Sequence, residues 1–163
     1  MAFGGKMNIS EAIFLNKISP DSICKDLYTI ALGFKEVEKE NHRKVNYFDI
    51  FVLFAFYSYK PALEEFTNVQ YNKYTTFKLR IERNPDIFAN INGRFSDGIE
   101  FCKAAILYGL NNQYFDIDED MNLIPKKIRG FKSDKRLINI GKTFSTKSSK
   151  ELYKYFKVNI NEI

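Results

Sequence analysis

Apolar residues recur every three or four positions along much of this chain, a spacing that predicts helices with one buried face. The first such stretch, residues 23–34, follows Ser19-Pro20-Asp21. There the serine caps a helix, the proline takes the first helical position and the aspartate meets the positive helix end. The stretch ends in the charged run 35–44, which we expect to form a solvated helix end and a loop.

Residues 48–59 are apolar nearly all round, which is typical of a central buried helix. Their aromatic and β-branched side chains would also suit a strand, but their length favours a helix. We expect Asn46 to cap this helix and Pro61 to end or kink it. Beyond a polar connection, residues 77–91 predict another helical region with a break before Pro85.

A turn at Asn92-Gly93 is expected to precede a further helix, which Ser96 opens. The buried stripe of this helix runs to Leu110. Its exposed face is expected to carry mainly Glu100, Lys103 and Tyr108.

A β-hairpin is predicted directly after this helix. Residues 114–118 alternate like a half-buried strand, Glu119-Asp120 make the turn, and residues 121–125 return. Two more helices are predicted to follow. One starts at Ser133-Asp134, and a short one begins at a capping box over residues 148–151. The predicted fold class is therefore mainly α, a compact helical domain with a small, winged-helix-like β-hairpin.

The chain, residues 1–163, is expected to form a single domain, with residues 1–8 loose and a short helix over residues 10–18. The hydrophobic content of 45%, with 16% aromatic residues, is enough to fill a core. We find no signal peptide, no apolar run long enough to cross a bilayer, and only two cysteines. These features predict a cytoplasmic protein.

Charge is concentrated near the end of the sequence. Residues 125–158 contain eleven lysines and arginines against two acidic residues, a net charge of +9, although the whole chain carries only +5. Such a segment is typical of a surface that meets nucleic acid or an acidic partner, but it also suits a lysine-coated solubilising surface. The densest cluster is the candidate binding site for DNA phosphates or a partner protein: Lys126, Lys127, Arg129, Lys132, Lys135 and Arg136.

Candidate catalytic chemistry is sparse. The single histidine, His42, lies in a charged run, so we assign it no catalytic or metal role. The acidic tip 116–120 begins like a calcium loop, but Met121 stands where the loop needs glycine, so a solvated hairpin tip is favoured. Gly141-Lys142-Thr143 resembles a fragment of a phosphate-binding loop but lies within a helical pattern. We therefore predict no catalytic residue, no metal and no cofactor.

Three stretches resemble one family when taken in order. These are FDIFVLFAFYSYKPAL (48–63), IERNPDIFANINGRFSDGIEFCKAAILYGLNNQYFDID (81–118) and INIGKTFSTKSSKELYKYFKV (138–158). Together they cover about residues 46–158. The chain resembles the small middle component of bacterial three-component ABC-type systems, including Lamassu-type anti-phage defence.

The resemblance implies a non-catalytic adaptor that joins an SMC-like ATPase, which senses DNA, to a separate effector that is often a nuclease. The alternative is a free-standing winged-helix regulator that binds DNA. The acidic tip would be repelled by phosphates, and the preceding helix lacks the arginines and amides that read bases, so protein contact fits that unit better. Contact with DNA would come from the basic segment after Pro125.

Overall fold

In this computed structural model, residues 18–163 are described; the expected loose start and nearly all of the helix predicted over 10–18 lie outside that part. The helices are α1 (Pro20–Glu36), α2 (Glu38–Asn41), α3 (Asp49–Tyr57), α4 (Lys60–Glu64), α5 (Ile91–Asn111), α6 (Lys135–Phe144) and α7 (Ser149–Phe156). The strands β1 (Phe115–Ile117) and β2 (Leu123–Pro125) form a two-stranded sheet. Short π and 3₁₀ turns cover Lys78–Glu82, Pro85–Phe88 and Ile160–Glu162. The predicted fold class, mainly α with a small hairpin, is confirmed.

Helix α1 begins as its sequence predicts. The Ser19 hydroxyl accepts a hydrogen bond from the Ser22 backbone N–H at 3.2 Å, and Pro20 occupies the first helical position. The helix packs against both α5 and α6. It crosses α6 at two glycines, Gly33 and Gly141, whose lack of side chains brings the two backbones into contact. This crossing fixes the position of α6 and of the basic segment that precedes it.

Helix α3 is the centre of the protein, and all nine of its residues are buried. The predicted cap is confirmed only in part. Phe48 is the capping position, two residues after Asn46, but the Asn46 side-chain oxygen accepts a hydrogen bond from the Phe48 backbone N–H at 3.1 Å. Asn46 also pairs with Asn122 in an isolated antiparallel bridge beside β2. The backbone N–H of Tyr47 donates to Met121, and that of Leu123 donates to Val45, each at 2.8 Å. Asn46 therefore attaches the start of α3 to the hairpin.

Helix α5 begins five residues earlier than predicted. Asn90 adopts a left-handed conformation (φ 53°) just before the helix, and the dipeptide Asn92-Gly93 lies inside it, so the expected turn there is wrong. Tertiary contacts account for the early start. The Arg94 guanidinium donates to the Ala55 carbonyl of α3 at 2.6 Å, and Phe95 is buried.

The hairpin lies where it was predicted, but its turn is longer than expected, because Met121 adopts a left-handed conformation (φ 64°) in the turn and does not begin the second strand. Phe115 pairs with Pro125, and Ile117 pairs with Leu123. The Asp118 carboxylate organises the turn by accepting hydrogen bonds from the backbone N–H groups of Asp120 and Asn122 at 3.0 and 2.9 Å. A helix followed by such a hairpin, with a third short segment bridged to its outer edge, is compatible with a winged helix.

Candidate partner-binding surfaces

The six predicted site residues lie on one stretch of surface between β2 and the first turn of α6. Lys126 follows β2 directly, the next three cations lie in the loop, and the last two open α6. Four of the six are exposed, whereas Lys126 and Arg136 are partly buried. The sequence therefore identified a continuous run of accessible positive charge.

Two of these cations are already paired. The Lys126 ammonium lies 3.1 Å from the Asp116 carboxylate, and Arg136 lies 2.8 Å from Asp134, whose pKa it lowers through hydrogen bonding. Within residues 18–163, no ion pair is made by the other four, which are Lys127, Arg129, Lys132 and Lys135. These four are the cations available to a partner.

A groove of about 520 Å³ lies beside the basic segment; we call it the basic groove. Its rim carries Lys35 of α1 together with Lys126 and Lys127. Its apolar floor is made by residues from α1, the loop and α6, namely Tyr28, Leu32, Ile128, Phe131 and Ile138. The structure thus brings two of the predicted cations to an apolar groove, whereas the other four do not line it.

Tyr28 anchors the loop that forms the groove wall. Its hydroxyl donates to the Lys126 carbonyl at 2.6 Å, and its ring packs edge-on against Phe131 at 4.8 Å. The Tyr114 ring lies 5.6 Å away on the same aromatic cluster. Because the loop is tied to α1 in this way, the groove is formed before any partner arrives.

A second groove, of about 780 Å³, lies between residues 77–92 and α7; we call it the aromatic groove. Its walls include Phe77, Phe88 and Tyr155, and the Lys147 ammonium lies 5.0 Å from the centre of the Phe77 ring. Its lining also includes Lys154 and Lys157, together with two carboxylates, Glu82 and Glu151. Among residues 18–163, none lines both grooves.

The outer face of α5 differs from the prediction. Leu107 is 61% exposed and Phe101 is 39% exposed, so apolar side chains occupy a face that was expected to be mainly polar. The only lysine on this helix, Lys103, lies 3.4 Å from the Glu100 carboxylate. Exposed apolar side chains beside the exposed acidic residues Asp97 and Glu100 favour protein contact over reading of bases.

The side chains considered for chemistry in the sequence, namely the two cysteines, His42 and Lys142, line neither groove. Cys24 and Cys102 are buried, and burial raises the pKa of the Cys24 thiol to about 12, which keeps it unreactive at neutral pH. His42 ends α2 in a left-handed conformation and is exposed. Lys142, from the phosphate-loop-like tripeptide, lies 2.6 Å from Glu36 on the neighbouring helix.

Among the described residues, no three histidine, cysteine or acidic side chains are grouped as metal ligands. No helix in the described part has the length and apolarity needed to cross a membrane.

Asp26 of α1 is partly buried beside the Tyr57 hydroxyl, near the Asp134–Arg136 pair. Burial, aided by the charge of Asp134, raises the pKa of Asp26 from 3.8 to about 6. Between these two values the folded protein keeps a proton that the unfolded chain releases. Stability therefore falls as the pH rises through this window.

We expect the free energy of unfolding to drop by as much as about 3 kcal/mol between about pH 4 and pH 7, since one pKa unit corresponds to about 1.36 kcal/mol. Asp26→Asn should remove this contribution and be more stable than the wild type at pH 7. Urea unfolding across this range measures both effects, with Asp97→Asn on the exposed face of α5 as the matched control. Identical pH profiles for Asp26→Asn and wild type would contradict the expectation.

Together these features define a small, mainly α-helical protein with a β-hairpin and two separate lysine-rimmed grooves. The chain belongs to the ABC-three component (ABC-3C) system Middle Component 3 family, whose model matches residues 7–160. It is therefore a component of a multi-subunit system. No curated protein and no solved structure matches it significantly.

Proposed function

We propose that this protein is a non-catalytic adaptor subunit of an anti-phage defence complex, of the Lamassu type. It links an SMC-like ATPase that senses DNA to an effector subunit, such as a nuclease. The observation that carries the proposal is the pair of grooves with separate linings, because an adaptor needs two contacts that can be occupied at once. Membership of a middle-component family supports the same role.

The basic segment supplies one of these contacts. Its six cations, proposed above as the binding site, adjoin the basic groove at Lys126 and Lys127. In the complex this surface meets the ATPase partner, and DNA is bound through the assembly. The aromatic groove and the exposed side chains of Phe101 and Leu107 on α5 are available for the effector.

The second candidate function is a free-standing DNA-binding regulator. The hairpin with its bridged third segment is the observation that favours it, since this arrangement is compatible with a winged helix. The exposed Leu107 and Phe101 of α5 count against it, because they offer no hydrogen bonds to base edges. The acidic hairpin tip would also repel phosphates.

Co-expression with the neighbouring genes and purification through a tag on this chain tests the adaptor proposal. We expect the ATPase and the effector to be recovered together with it. The triple variant Lys127→Glu, Arg129→Glu and Lys132→Glu should reduce recovery of the ATPase at least tenfold. Its melting temperature should stay close to that of the wild type, because surface substitutions usually change stability by about 0.5 kcal/mol or less.

The matched control reverses three exposed lysines that line neither groove: Lys39, Lys44 and Lys73. This variant carries the same change in net charge and should retain both partners. Recovery of the chain alone while an ATPase gene is expressed beside it would refute the adaptor role. Tight binding of the isolated chain to one duplex sequence would establish the regulator instead.

A further inference from the structure

We infer that the basic groove binds an acidic amphipathic helix of a partner protein, with the helix's apolar side chains on the groove floor and its carboxylates on the rim. The inference rests on the proposed function, in that it takes the basic segment to be a partner contact. The bound segment is identified by its chemistry as an acidic helix, and this surface is identified as a contact for protein rather than for DNA.

The shape of the groove suits a helix. Tyr28, Leu32 and Lys35 are spaced by four and three residues, so they lie along one face of α1, and Ile138 contributes from α6. Helices α1 and α6 form the floor and the loop after β2 forms a wall, so the groove can accommodate a third helix. Grooves of this kind are recognised by apolar anchors spaced three, four and seven residues apart.

The floor of the groove argues for a protein ligand. Leu32, Ile128, Phe131 and Ile138 are all partly buried, and apolar side chains of a partner would remove the rest of their surface from water. A nucleic-acid backbone would reach the lysines without covering these side chains. A surface that bound only phosphates would not require apolar side chains between its lysines.

The charges on the rim specify an acidic ligand. Lys35 and Lys127 are exposed and make no ion pair within residues 18–163, and Lys126 makes one with Asp116. The single carboxylate in the lining, Glu36, is bound to Lys142 at 2.6 Å. The rim therefore keeps an excess of positive charge, which glutamates flanking the apolar anchors of a helix would neutralise.

The test uses the full chain and three labelled probes, followed by fluorescence anisotropy. The first is a glutamate-rich helical peptide with leucines at anchor positions spaced by three and four residues. The second carries glutamine in place of those leucines, and the third is a short DNA duplex. We expect the leucine peptide to bind at least tenfold more tightly than the glutamine peptide.

Two variants separate the floor from the rim. Leu32→Ser should lower the affinity for the leucine peptide to that of the glutamine peptide and leave binding to the duplex unchanged. Lys127→Glu should weaken binding of both peptides and reduce their salt dependence. Ile128→Ser, in the loop, repeats the floor test independently of α1. Ile160→Ser is the apolar control, since Ile160 is 42% exposed and lines neither groove.

Equal affinity for the two peptides, or tighter binding of the duplex than of the leucine peptide, would overturn the inference. Failure of the adaptor proposal would give a different result from failure of the groove inference. The leucine peptide would still bind to the apolar floor of the basic groove, but no other subunit would be recovered with the chain after co-expression. Conversely, recovery of the ATPase undiminished by both Leu32→Ser and Ile128→Ser would overturn the groove inference and leave the adaptor role standing.

Discussion

Replacing Gly141 by alanine is expected to destabilise the protein by about 3 kcal/mol, the upper end of the range typical for overpacked cores. A Cβ atom at this position would lie 2.2 Å from the Ile30 carbonyl oxygen and 3.1 Å from the Gly33 Cα atom. Both contacts are with the backbone of α1, so no side chain can rotate away. Relief requires α1 and α6 to move apart, which would loosen the floor of the basic groove.

Urea unfolding of Gly141→Ala and Gly33→Ala measures the effect, and both should show it because the crossing is reciprocal. A Cβ atom at Gly33 would lie 2.3 Å from the Ile138 carbonyl oxygen. Gly130→Ala is the control. Gly130 has a φ of +75°, but a Cβ atom added there would have no atom of the described residues within 4 Å, apart from its chain neighbours. Its cost should be only about 1–2 kcal/mol, from the left-handed backbone alone. Wild-type stability for Gly141→Ala would contradict the close crossing.

Arg43→Met is expected to cost about 3–5 kcal/mol, because it leaves a buried carboxylate without its counter-charge. The Asp49 side chain is fully buried at the start of α3, and its two oxygens accept hydrogen bonds from the Arg43 guanidinium at 2.7 and 2.8 Å. The Asn46 backbone N–H is a further donor at 2.7 Å. The Arg43 guanidinium also lies 5.1 Å from the centre of the Phe34 ring.

A double variant, Arg43→Met with Asp49→Leu, should recover most of the lost stability, because it removes both charges together. Lys60→Met, which breaks an exposed pair with Glu64, should change stability by less than about 1 kcal/mol. Chemical denaturation of Arg43→Met, of Asp49→Leu alone and of the double variant completes a double-mutant cycle, which gives the coupling energy. A double variant no more stable than Arg43→Met would mean that shape and the bond to Asn46, rather than charge pairing, govern this site.

Local signals in the sequence predicted the fold well where neighbouring residues decide the structure. Ser19 caps α1, and the serine at position 148 caps α7 with a hydrogen bond from the Glu151 N–H at 3.2 Å. The predictions were wrong where contacts between residues distant in the sequence determine the local structure. Asn92-Gly93 has the composition of a turn, but the bond from Arg94 to Ala55 holds this segment in a helix.

The candidate site was predicted in part for the same reason. Its cations lie close together in the sequence, so their clustering is visible without the structure. Its floor was missed, because Leu32 and Ile138 are distant in sequence and look like ordinary helix residues. The bond that makes the groove, from Tyr28 to the Lys126 carbonyl, joins residues 98 positions apart. No local pattern encodes such a contact.

The complete burial of α3 has a consequence for following assembly by hydrogen–deuterium exchange. Its amide hydrogens have no local route to solvent, so they should exchange only when the whole molecule unfolds. Ligands that bind only the folded state lower the equilibrium population of unfolded molecules, and this slows exchange through global unfolding. The amides of Phe54 and Phe56 should therefore report occupancy of either groove, although neither residue lines one.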